Sequence, residues 1–208
     1  MGRRTEATDR EVDALIARNP LGLVATMRHG EALSTNLPFL FERDEDPAGV
    51  LRGHLAAADP LIAMLRCDPK ALISFQEPGA YVSRCWLRGR AFSTTWIYAS
   101  VEFLTEIQFL ECPGEVHSYL DRFADRFEAG RGKDRPRAGA GGNYRELLKT
   151  IRPFKAWVLR TRLHFEHGQD EDPAVLRDVV AGLRSEGALE IAAMVEREAR
   201  GAFAARAA

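Results

Sequence analysis

Apolar and polar positions along this chain alternate with two periods, and the switches between them mark out the elements. Val12, Leu15 and Ile16 recur at helical spacing behind Thr8 or Asp9, either of which can cap a first helix that Asn19-Pro20 ends. "LGLVATM" (21–27) and "LSTNLPFLF" (33–41) read as antiparallel strands joined by the turn "RHGE". After the polar turn "RDEDPAG", "VLRGHL" (50–55) is a third strand. "AADPLIAMLRC" (57–67) is a short helix with Asp59 as N-cap and Pro60 in the first turn. "ALISFQE" (71–77) and "AYVS" (80–83) are strands about a Pro-Gly turn. The aromatic, β-branched stretch 94–111 is one long bent strand or two.

The second half of the chain changes period. Residues 113–130 form an amphipathic helix with Val116, Leu120, Phe123 and Phe127 on its inner face. "RGKDRPRAGAGG" (131–142) is a flexible linker. Its glycines follow charge rather than a strand, so they do not make a phosphate loop. A short helix at 143–151 precedes the alternating strand 154–165, and two helices over 172–203, broken at Gly187, close the chain. Strands in runs, with helices inserted singly and then gathered at the end, predict an α+β fold. Its centre is a mainly antiparallel β-barrel with peripheral helices, in one domain spanning 1–208.

Composition narrows the partners. The chain has 208 residues, is 46% hydrophobic and carries a formal charge of −1, which favours neither nucleic acid nor an anionic membrane as partner. Three well-separated cysteines, Cys67, Cys85 and Cys112, form neither a disulfide framework nor a zinc motif. With no secretory leader, they fit a reducing cytoplasm. Cys85 is expected to be a buried thiol.

Candidate chemistry centres on few residues. His54 ends an apolar strand just before the helix opening at Ala58, Asp59 and Pro60, a place where phosphates or propionates can gather. His164 and His167 lie three apart at a strand end and so face opposite sides, although a single imidazole can hold haem iron. Glu166, between them, can orient an imidazole or move a proton.

The ordered segments "STNLPFLF", "LRGHLAAADP", "ISFQEPGAYVSRCW" and "STTWIY", with "EDPAVLRDVVAGLRSEG" near the end, resemble the PaiB-like proteins, FMN-binding negative transcriptional regulators. The resemblance covers roughly residues 10–195. It implies a split-barrel flavin-binding fold and a homodimer with the cofactor at the interface. Polar positions of that pattern have changed here. Ala57, Ala58 and Asp59 replace Arg-Ala-Asn, Ile97 replaces an Asn, and Glu166, His167 and Gly168 replace Ser-Gln-Asn.

Two haem-using relatives share this fold, the split-barrel haem oxygenases and the piperazate synthases, and the chain is most similar to the latter. That resemblance implies haem b (the alternative is FMN) and a small amino-acid substrate, delta-N-hydroxyornithine, closed to piperazate through an N–N bond. His54 is then the expected axial ligand, with His167 and His164 in reserve. Arg52 and Arg84 hold anionic groups, Leu37, Phe39, Trp86 and Trp96 form walls, and Tyr81 and Glu166 move protons. The alternative is a flavin-dependent reductase or regulator.

Overall fold

Strand pairing explains most of the architecture. The computed structural model describes residues 6–90, 96–129, 149–166 and 171–206, and the statements below concern these. The linker at 131–142, most of the expected helix at 143–151, and His167 lie outside them. The chain comprises two compact units. Unit 1 comprises Met1–Phe75 with Glu102–Arg162, and unit 2 comprises Gln76–Val101 with Leu163–Ala208.

Unit 1 is an antiparallel sheet with helices at its margins. Helix α1 (Glu6–Arg18) starts before Thr8 and Asp9, which therefore lie inside it, and buries Val12, Leu15 and Ile16. β1 (Leu21–Arg28) and β2 (Glu31–Pro38) pair around His29 and Gly30, with φ of 50° and 83°. Two successive left-handed residues match the twist of a tight hairpin. The expected strand 33–41 divides at Phe39. β2 pairs with β1, whereas β3 (Leu40–Glu42) pairs with β4 (Val50–Ala56). Pro38 has no N–H to continue a ladder, so the partner switch costs little there.

Helix α2 (Leu61–Cys67) follows, then β5 (Lys70–Gln76), β7 (Trp96–Phe109), α3 (Pro113–Glu128) and β8 (Ile151–Glu166), with β6 (Ala80–Tyr81) set against β7. The sheet order is β2-β1-β5-β7-β8-β4-β3. The long aromatic stretch is thus a single strand, and its last eight residues, with β8 to Arg162, belong to unit 1.

The interior of unit 1 is aromatic. Phe39 packs edge-on against Phe75 and Phe154 at ring-centroid distances of 5.6 and 6.1 Å. Gly22 and Gly53 make room for it and for Phe75: a Cβ on Gly53 would stand 2.9 Å from the Phe39 ring, and one on Gly22 2.7 Å from Phe75. The glycine before His54 is therefore explained by packing. Thr105, fully buried, donates to the Ala71 carbonyl at 3.0 Å, so its hydroxyl is satisfied.

Unit 2 has its own core. α4 (Pro173–Ser185) and α5 (Leu189–Arg206) pack Val175, Leu176, Val179, Leu183, Met194 and Val195 with Val82, Leu87 and Ile97. Asp172 caps α4 by accepting from the Ala174 N–H at 2.6 Å. No helix among the described residues is long and apolar enough to cross a membrane.

Candidate functional site

His54 sits on β4 beneath α3. The alternation of β4 sends Leu51, Gly53 and Leu55 to one side and Arg52 and His54 to the other. There α3 supplies Tyr119 and Phe123, one helical turn apart. Tyr119 Oη lies 2.6 Å from His54 Nδ1, and both rings meet the imidazole edge-on, at centroid distances of 5.9 and 5.3 Å. Burial among these rings lowers the His54 pKa and favours the neutral ring, while burial pushes the Tyr119 phenol well above its ordinary value. With Nδ1 engaged, Nε2 is the nitrogen left to meet a ligand. Tyr119 falls on the stripe of Val116, Leu120 and Phe123. That periodicity was the signal for a partner to His54, but the sequence did not say which strand residue the stripe would cover.

Beside this pair, Glu45, Arg52, Leu110, Gly114, Glu115, Ser118, Tyr119, Arg122 and Lys155 line a cleft of about 300 Å³. Its charges are interlocked. Arg52, only 3% exposed, pairs with Glu42, with Glu45 at 2.6 Å and with Asp44 at 3.7 Å. Arg122 meets Glu42 at 2.9 Å and Asp44 at 3.1 Å, and Lys155 meets Glu45 at 3.0 Å and Glu115 at 3.5 Å. The Arg122 hydrogen bond holds the Asp44 carboxyl below its usual range. Burial works to raise the Glu45 pKa, but hydrogen bonds from Lys155 and Arg52 outweigh it and leave it lowered. Four carboxylates face three cations, so the cleft repels an additional dianion such as a phosphate. The expected role of Arg52 as an anchor for an external anion is corrected accordingly, because its guanidinium is already bound by the chain's own carboxylates.

The helix opening after His54 is corrected in the same way. α2 has seven residues, and Asp59 Oδ1 accepts from the Leu61 N–H at 2.9 Å. A carboxylate already stands where an incoming anion would bind.

Comparison with known proteins places these features in a family. Residues 3–160 match the model described as "Putative FMN-binding domain". The chain belongs to this family. A curated relative, protease synthase and sporulation protein PAI 2 of Bacillus subtilis (strain 168), is 28% identical over 121 residues, 58% of this chain. The chain spans 57% of that relative's length. Among solved structures, the FAD and haem binding protein from Mycobacterium smegmatis aligns with a TM-score of 0.60 at 22% identity, covering 83% of this chain and 77% of that one. A conserved hypothetical protein from Mycobacterium tuberculosis aligns at 0.57 with 15% identity, covering 82% and 90%. At these identities the structural likenesses show the fold alone, the α+β split barrel.

The other expected site residues of this family member distribute between the units. Leu37 and Phe39 are buried in unit 1, and Phe39, at the centre of an aromatic cluster, packs the barrel rather than lining a cofactor wall. Trp86, in the 3-10 turn Arg84–Trp86 of unit 2, packs so closely on Gly182 of α4 that a Cβ there would lie 2.0 Å from the indole. Tyr81 and Trp96 pair across β6 and β7 of unit 2 with centroids 6.1 Å apart, and they are 51% and 54% exposed. Arg84 is exposed, as are His164 and Glu166, which share one face of β8. Cys85 is exposed rather than buried, and Cys67, Cys85 and Cys112 are all free thiols. No cluster of three or more metal-ligating side chains occurs among the described residues.

Proposed function

We propose that this chain is a haem-dependent enzyme acting on a small amino acid, with His54 as the axial ligand. The observation that carries the reading is the His54 imidazole itself. It is favoured in its neutral form by burial, fixed between two aromatic rings and hydrogen-bonded at Nδ1, so that Nε2 is the nitrogen that meets iron. The solved structure from Mycobacterium smegmatis, whose protein binds FAD and haem, supports haem as a ligand this fold accommodates. Haem, when bound, supplies a Lewis-acidic, redox-active iron.

The chain's own residues do the rest. The cleft beside Tyr119 presents carboxylates and cations together, which suits a zwitterion: Glu45 and Glu115 meet an ammonium, while Arg122, 45% exposed and so less tightly held than Arg52, exchanges its own carboxylate partners for the substrate's. Glu45, held ionised, anchors charge rather than taking a proton. Glu115 is the cleft carboxylate left to act as base. Tyr81 and Glu166, the expected proton carriers, belong to unit 2. Within the amino-acid class, the resemblance to piperazate synthases selects delta-N-hydroxyornithine. One N–N bond forms, one N–O bond breaks and water leaves, so no external oxidant or reductant is consumed. A homodimer with the cofactor at its interface is part of this proposal. It is supported by the apolar outer face of β1 and β5, where Leu21, Leu23, Met27 and Leu72 stand in solvent.

The second reading is a flavin-binding reductase or regulator, favoured by the family match over residues 3–160. The paired cations of the unit 1 cleft count against a phosphate there. The deciding experiment is reconstitution of the purified protein with haem and, separately, with FMN. The haem reading expects a Soret band that His54→Ala abolishes, and loss of one water from delta-N-hydroxyornithine by mass spectrometry. Stoichiometric FMN binding with no Soret band overturns it.

A further inference from the structure

We propose that Tyr119 is the positioning residue for His54. Its hydroxyl donates to Nδ1 and holds the imidazole in the tautomer that carries its proton on Nε2, so that a Lewis acid can take Nε2 only when this hydrogen bond reverses. The inference deepens the haem reading and rests on it only for the consequence, since the tautomer itself is a property of the unliganded chain.

The argument is one of satisfying each polar atom. Tyr119 is 2% exposed, and His54 Nδ1, at 2.6 Å, is the hydrogen-bond partner of its hydroxyl among the described residues. A neutral imidazole has one N–H and one lone pair, whereas a phenol can donate once and also accept. If the tyrosine donates, the phenol proton and the Nδ1 lone pair satisfy each other, and the ring proton resides on Nε2. If Nδ1 carried the proton, Tyr119 would accept, and its own buried O–H would have no acceptor among those residues. The donating arrangement wins on that count. The Phe123 ring at 5.3 Å and the Tyr119 ring at 5.9 Å crowd the imidazole and oppose a ring flip that would exchange the two nitrogens.

The consequence concerns ligation. The unliganded chain presents an Nε2–H donor, and a metal at Nε2 requires that proton to leave while Nδ1 becomes protonated. Tyr119 can follow by turning its hydroxyl to accept from Nδ1–H, the arrangement in which a ligating histidine donates its other N–H. The hydroxyl hydrogen must then find another acceptor. The unliganded chain offers none among the described residues, but a carboxylate bound in the charged cleft that Tyr119 also lines can supply one. One hydroxyl thus links the state of His54 to what occupies the cleft.

The test is long-range ¹H–¹⁵N correlation NMR of the haem-free, histidine-labelled protein, read at the His54 ring, in wild type and Tyr119→Phe. The expected result is a pyridine-type Nδ1 and a pyrrole-type Nε2 in wild type, with the fixed pattern lost to averaged shifts in Y119F. A protonated Nδ1 in wild type, or an unchanged pattern in Y119F, overturns the proposal. Should Y119F fail to fold, the wild-type spectrum alone decides which nitrogen is protonated. Haem titration of the same sample separates this inference from the function proposed above. No Soret band with the Nε2–H tautomer in place sinks the haem reading and leaves Tyr119's role standing. Haem binding to a chain whose free His54 is protonated at Nδ1 does the reverse.

Discussion

The Glu45 carboxylate meets the Arg52 guanidinium at 2.6 Å, and the same carboxylate meets Lys155 at 3.0 Å from the far side. A nearly buried arginine depends on acids that are themselves only partly covered. Removing the cation leaves Glu42, Asp44 and Glu45 repelling one another. Arg52→Ala should cost about 1–2 kcal/mol, chiefly from the lost packing of its buried stem, because the acids it leaves behind are partly solvated. Arg52→Met, which fills the volume, should cost less. Urea unfolding at neutral pH checks both, and an R52A protein as stable as wild type would show that the network contributes nothing.

The same network sets acid sensitivity. In the folded chain Asp44 and Glu45 have pKa values below the ordinary 3.8 and 4.5 of these side chains. A carboxylate lowered on folding stabilises above its unfolded pKa, and that contribution disappears as pH falls through the folded value. Wild type should therefore lose stability below about pH 4.5. Asp44→Asn with Glu45→Gln should start less stable and fall less steeply over that range. Parallel slopes would deny these two groups a role. Because both are largely exposed, added salt should weaken the effect.

Trp86 yields a third prediction. Gly182→Ala places a methyl 2.0 Å from the indole, where α4 and the 3-10 turn cannot both stay. It should destabilise by about 1–3 kcal/mol and shift tryptophan fluorescence. Adding Trp86→Leu should recover part of the loss, because the smaller side chain vacates the contested volume. If G182A leaves the melting temperature unchanged, the packing is looser than described.

What the sequence revealed follows from how local each cause was. The β1–β2 hairpin was legible because His29 and Gly30 alone set the turn and alternation alone set the faces. The first helix was legible from Val12, Leu15 and Ile16, although its start was not, since fraying ends depend on little. The break at Phe39 was hidden because it depends on which strand each half pairs with. Tyr119 and the Arg52 network were hidden for the same reason. Residues 65 positions apart bond in one case, and Lys155 reaches Glu45 across 110 in the other. Arg52 looked like an anion anchor because the sequence shows a cation and not the carboxylates that fold over it.

The outer face of β1 bears on assembly. Met27 is 71% exposed on the side of the strand that also carries Leu21 and Leu23, with Leu72 adjoining on β5. An apolar strip of this kind is costly in water unless a partner covers it. In the proposed homodimer, Met27→Asp should shift the protein toward monomer in light scattering while sparing the fold, because the substituted side chain meets solvent in the single chain. A dimer unaffected by M27D would place the interface elsewhere.

His54 carries the last prediction, and its sign can be worked out in advance. Burial lowers its folded pKa below the ordinary 6.5 of an imidazole, so as pH falls the unfolded chain takes up this proton before the folded one does. The folded state therefore loses stability as pH drops below about 6.5, at a slope no greater than about 1.4 kcal/mol per pH unit, and levels off once the folded histidine is also protonated. His54→Gln keeps a polar side chain near Tyr119 but cannot titrate, so the difference in unfolding free energy between wild type and H54Q should narrow from about pH 7.5 to about pH 5.5. The two-protein difference isolates this group from the exposed histidines, which titrate alike in both. A difference that instead widens toward acid would mean that His54 gains a proton more readily when folded. That would place it beside a carboxylate rather than between two aromatic rings, and would remove the neutral imidazole on which haem ligation depends.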